Sequence, residues 1–163
     1  MADETYPMTP RGLATLKAEL KQIKEIDRPH NVKEIEEALE HGDLRENAEY
    51  HAAKERQAEL EARMRFAEYR ISRAKVIDPG KVSSEKVAFG ATVKVLDLDT
   101  DQEETYAIVG EHEVDVDSGL ISFKSPIARA MIGKEEGDEV VLKLPKGDRE
   151  LEIVSVEYKA LDQ

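Results

Sequence analysis

Two carboxylates three residues apart, Asp43 and Glu46, follow Gly42 in the run Gly42, Asp43, Leu44, Arg45, Glu46, Asn47. Such a pair has two uses. An Asp at an N-cap with a Glu three positions on has the spacing of a capping box, in which both side chains accept from free N–H groups of a helix's first turn. The helix macrodipole favours acids at that end as well. The same oxygens could complete the shell of a Mg²⁺ ion held mainly by another molecule, because magnesium is usually bound through one or two carboxylates and keeps waters. The readings are compatible, and spacing leaves both open.

Other reactive groups near this pair are sparse. His41 and His51 flank it without a metal-ligand spacing. Lys54 and Arg56 follow it, with Arg45 nearer, as a small basic spot. On a helix such groups are mostly solvated partners of neighbouring acids, here Glu49, Glu55 and Glu59; facing nucleic acid, they would contact phosphate without reading sequence. The chain has no cysteine, which removes disulfides, thiol nucleophiles and Cys-ligated metals. It shows no Ser, His, Asp arrangement and no glycine-rich phosphate loop. As a catalyst it is chemically incomplete alone.

The acids must be held by what flanks them. Thr9 is an N-cap candidate with Pro10 at the first helical position. Leu13, Leu16, Leu20 and Ile23 follow at helical spacing, and the stripe resumes at Val32, Ile35 and Leu39 beyond Pro29, which is expected to kink or break the helix. Gly42 ends it. Tyr50, Ala53, Gln57, Leu60, Met64, Ala67, Ile71 and Ala74 then alternate three and four apart, the seam of a coiled coil. The spacing predicts a helix over 44–75, roughly 45 to 50 Å long at about 1.5 Å per residue. Two such helices form an antiparallel hairpin with the acidic pair at its tip.

Beyond Asp78, Pro79 and Gly80 the material changes to Val- and Ile-rich runs, so domains are expected at 1–79 and 80–163. The runs are Ala91, Val93, Val95; Tyr106, Ile108; Leu120, Ile121, Phe123; Val140, Leu142, Leu144; and Leu151, Ile153, Val156. Ser125 and Pro126 open one short helix ending at Gly133. The class is therefore α+β: a long antiparallel helical hairpin, then a mainly antiparallel β domain with one short helix.

The 163 residues carry a formal charge of −12, of which −3 falls in residues 1–80 and −9 in 81–163. That balance argues against tight binding to naked nucleic acid. No run is long and apolar enough for a membrane span, and the N-terminus has no signal segment, so a cytoplasmic location is expected.

Three stretches resemble the bacterial Gre transcript cleavage factors, of the GreA type rather than the GreB type: Gly42 to Glu55 (GDLRENAEYHAAKE), Ser122 with Ser125 to Gly133 (SPIARAMIG), and Pro7, Met8, Thr9, Arg11, Gly12. The resemblance implies an FKBP-like second domain. It implies a monomeric factor, not itself an enzyme, that binds bacterial RNA polymerase. The second domain would dock at the rim of the secondary channel, through Ser125, Pro126, Ile127, Met131 and Ile132, although buried core is an equal reading for the apolar ones. The hairpin would enter the channel, where Asp43 and Glu46 help hold the polymerase's second catalytic Mg²⁺ and position the water that cuts backtracked RNA. No cofactor of its own is implied. RNA and DNA are met only within the elongation complex, with Lys54, and Arg56 behind it, as carriers of contact to the RNA 3′ end. The sequence departs from the family pattern at Leu39, where many relatives carry a basic residue. Two alternatives are a channel-binding relative that inhibits polymerase, against which stands a loop with just two acids, and an FKBP-like isomerase or holdase.

Overall fold

A computed structural model describes residues 4–42 and 47–161. The chain divides into two units, one built on Leu13–Ala74 and the other on Tyr6–Gly12 with the chain from Lys75 onward.

Thr9 opens the first helix as its type predicts, its hydroxyl accepting from the Gly12 N–H at 3.1 Å. Helix α1 (Pro10–Gln22) continues through a π-helical segment (Ile23–Asp27) into α2 (Arg28–Leu39). Pro29 therefore does not break the helix. The Arg28 N–H reaches back to the Ile23 carbonyl, and this wider turn, directly before Pro29, makes room for a ring that lacks a donor and crowds the carbonyl four residues earlier.

The π turn also inserts a residue into the helical register. The wholly buried positions of α2 are consequently Asn31 and Ala38, whereas Val32 and Leu39, expected to face inward, are 48% and 47% exposed. The polar Asn31 is tolerated inside because its amide donates to the Ala53 carbonyl at 2.9 Å.

Helix α3 (Ala48–Ser72) buries Ala53, Leu60 and Ala67, the centre of the predicted seam. Its 25 residues span about 37 Å at about 1.5 Å per residue, less than the length expected from 44–75. It starts later because Asn47 is the cap, and ends earlier because Ala74–Val76 form strand β2, which pairs with β1 (Tyr6–Met8). Ion pairs Glu34–Arg56, Arg28–Glu61 and Glu19–Arg63 step backward along the first arm as they advance along α3, so the arms are antiparallel. These are exposed pairs, worth about 0–1 kcal/mol each. The buried seam holds the hairpin together.

The second unit is a five-stranded sheet in the order β5-β4-β3-β7-β6, made of β3 (Thr92–Asp97), β4 (Glu103–Val109), β5 (Leu120–Ser122), β6 (Glu139–Leu144) and β7 (Gly147–Glu157). Each predicted run supplies a strand. All pairings are antiparallel except β4 with β5, where two 3₁₀ turns, Glu111–Glu113 and Val116–Ser118, carry the chain back to start a parallel strand. The spacing Leu151, Ile153, Val156 changes from two to three at a bulge: Lys94 faces Ser155 but Val95 faces Ile153. Helix α4 (Pro126–Met131) contributes Ala128 and Met131 to a core with Val93, Val95, Ile108, Leu151 and Ile153.

The segment Tyr6–Gly12 is fixed within this second unit by Glu113. Its carboxylate accepts from the Thr9 N–H, the Thr9 hydroxyl and the Gly110 N–H. Gly12 is required opposite it, since a Cβ there would lie 2.3 Å from the Glu113 carboxyl carbon.

Candidate functional site at the hairpin tip

The connector between α2 and α3 carries the acidic pair. Asp43 and Glu46 themselves lie outside the described residues; the structure describes the two helix ends that hold them.

At the α2 end, Glu40 and His41 donate to the carbonyls of Glu37 and Ala38 at 3.2 and 3.1 Å, tightening the last turn before Gly42. Gly42 has φ +105°, a conformation glycine adopts without a Cβ penalty. At the α3 end, the Asn47 Oδ1 accepts from the Tyr50 N–H at 3.0 Å. The N-cap of α3 is therefore Asn47, while Asp43, the candidate that spacing offers, lies outside the described residues. The signal was present, because Asn is among the best N-caps, but the Asp-x-x-Glu spacing four residues earlier has the same form.

The basic spot does not form one surface. Successive helical residues turn by about 100°, which puts Lys54 and Arg56 on opposite flanks of the Ala53–Leu60 seam. Lys54 donates to Gln57 at 2.8 Å on its own helix. Arg56 pairs across the hairpin with Glu34 at 3.8 Å. A groove of about 380 Å³ is lined by Arg56 and His41 together with an acidic wall of Glu34, Glu37 and Glu49. His41 lies 3.7 Å from the Glu49 carboxylate, and among the described residues no group of three or more His, Cys, Asp or Glu side chains is placed to hold a metal ion.

In the second unit, Ser125 caps α4 by accepting from the Ala128 N–H at 3.3 Å, and Pro126 takes the first helical position. Pro126 and Ile132 are exposed and Ile127 is half-buried. Met131 is wholly buried. It is a core residue and unavailable to a partner, which corrects its place among the docking positions. Leu39 stands half-exposed on the outside of α2.

A family model described as "Transcription elongation factor, N-terminal" matches residues 6–76, and one described as "Transcription elongation factor, GreA/GreB, C-term" matches residues 82–158. The chain is 55% identical over 155 residues to the transcription elongation factor GreA of Ruegeria pomeroyi, covering 95% of this chain and 99% of that one. It is 52% identical over 160 residues to GreA of Francisella tularensis subsp. novicida, covering 98% and 100%. Among solved structures, Gfh1 of Thermus thermophilus aligns with 28% identity and a TM-score of 0.43 over 94% of this chain and 99% of that one. A GreA/GreB factor of Nitrosomonas europaea aligns with 19% identity and a TM-score of 0.42 over 95% and 99%.

Proposed function

Because the chain belongs to the GreA/GreB family of transcription elongation factors, we propose that it binds bacterial RNA polymerase, inserts its hairpin into the secondary channel and stimulates cleavage of backtracked RNA by the polymerase's own active centre. The observation that carries the mechanism is the Asn47 cap. With the first turn of α3 closed by a neutral amide, α3 does not need Asp43 or Glu46 at its N-cap.

Two carboxylates are hard oxygen donors of the kind Mg²⁺ takes. Asp43 and Glu46 would help hold that ion, which would supply Lewis-acid activation of water and charge stabilisation at the phosphodiester. The chain's own part is to present Asp43 and Glu46 on a rod narrow enough to enter a channel. Lys54, on a flank free of the Glu34 and Glu37 wall, is suited to a phosphate near the RNA 3′ end. The factor brings no cofactor, works as a monomer in the cytoplasm, and meets RNA and DNA only within the elongation complex.

Docking falls to the second domain. A five-stranded, mostly antiparallel sheet with one short helix packed on it supports the FKBP-like reading. The exposed residues at the ends of α4, Pro126 and Ile132, with Ser125 and Ile127 beside them, form the surface offered to the polymerase. Identity of 52 to 55% to curated elongation factors over nearly the whole chain supports an activator over an inhibitory relative. The test is a stalled, backtracked elongation complex with end-labelled RNA. Adding the protein should shorten the RNA and restore elongation; a block to elongation without cleavage would favour the inhibitor.

A further inference from the structure

Asn47 does more than cap α3. Its Oδ1 accepts from the Tyr50 N–H at 3.0 Å, and its Nδ2 donates to the Ala38 carbonyl at 2.6 Å in the last turn of α2. Carbonyls in a helix's last turn lack their usual i+4 partners, as do N–H groups in the first turn; the Ala38 carbonyl accepts from the His41 N–H as well as from Asn47. One amide thus serves both helix ends, and the connector that carries Asp43 and Glu46 runs between these two anchor points. Asn suits this place because it carries a donor and an acceptor on one short planar group. Asp keeps the acceptor and loses the donor; Ser keeps a capping oxygen on a shorter side chain that no longer extends to Ala38.

We infer that Asn47 is a positioning residue for transcript cleavage, setting the separation of the connector's two ends and through it the reach of the two acids. The inference rests on the metal-binding reading of Asp43 and Glu46. Asn47 would not touch the metal or the RNA. Its side chain is spent on the two backbone groups, and its effect passes through the loop.

The test uses the full-length protein with backtracked elongation complexes. Asn47→Ser retains a good N-cap, so helix content should stay close to that of the parent. At saturating factor its maximal cleavage rate should fall about tenfold or more, since misplacing a catalytic group by about 1 Å can cost on the order of 10²-fold. The factor concentration giving half-maximal effect should not change, because docking is untouched, and more Mg²⁺ should be needed. Asn47→Asp, with a cap favoured by the helix dipole, should behave alike and serves if the serine variant folds poorly. Combining Asn47→Ser with Asp43→Ala should add no loss beyond Asp43→Ala alone. An unchanged maximal rate in Asn47→Ser overturns the inference, as does a loss seen only as weaker half-saturation. Normal cleavage by Asp43→Ala would sink the metal reading separately.

Discussion

Asp97 shows how one side chain can organise a turn and tie distant strands. Its Oδ1 accepts from the backbone N–H groups of Asp99 and Thr100 at 2.9 and 3.3 Å, and its Oδ2 from the Arg149 Nε and Nη2 at 3.2 and 3.0 Å. The Asp99 N–H, and next the Arg149 guanidinium, hold its carboxyl below the usual aspartate range. A depressed folded-state pKa stabilises the fold above the unfolded value, about 3.9, and that contribution is lost as pH falls through the folded value. Asp97→Asn should therefore melt lower than the parent at pH 7, and the gap should narrow below about pH 4. Thermal melts at several pH values check this. Nothing in the sequence singled out Asp97, because its partner Arg149 is 52 residues away and meets it only through the β3–β7 pairing. Asn47 was visible but eclipsed by the acids before it.

At the scale of elements, regularity decided what could be read. The α3 seam was legible because one unbroken spacing runs through Ala53, Leu60 and Ala67, all buried. The α2 stripe was not, because apolar residue type pointed to Val32 and Leu39 while the π turn swung Asn31 and Ala38 inward. Substitution separates the two faces. Leu60→Ala, at a position 2% exposed, should cost about 2–5 kcal/mol, whereas Val32→Ala and Leu39→Ala should stay within roughly 0.5 kcal/mol. Urea unfolding followed by helix content measures all three. In the sheet, the strands were legible from alternation and the parallel β4–β5 pair was not, since its direction depends on two 3₁₀ turns with no strong signal of their own. The pairing of β1 with β2 joins residues near 7 and 75, too short and too distant in sequence to be seen as a pattern.

For the whole molecule, the charge of −12 argues against tight binding to naked nucleic acid. Docking should then depend on exposed residues of the second domain. Ile132→Asp should weaken competition for polymerase while leaving the melting temperature near that of the parent, because Ile132 is 42% exposed. Met131→Ala should do the reverse, destabilising the fold by about 2–5 kcal/mol through a core cavity. Competition binding and melting curves on the same samples distinguish them. Central to the account is the claim that the two acids act in chemistry and not in capping. The most direct measurement is the cleavage rate of backtracked RNA at saturating Asp43→Ala and Glu46→Ala, with polymerase affinity and melting temperature recorded for each. Stimulated cleavage should be lost with affinity and melting temperature both preserved. Normal cleavage, or a loss that follows a fall in melting temperature, would contradict it.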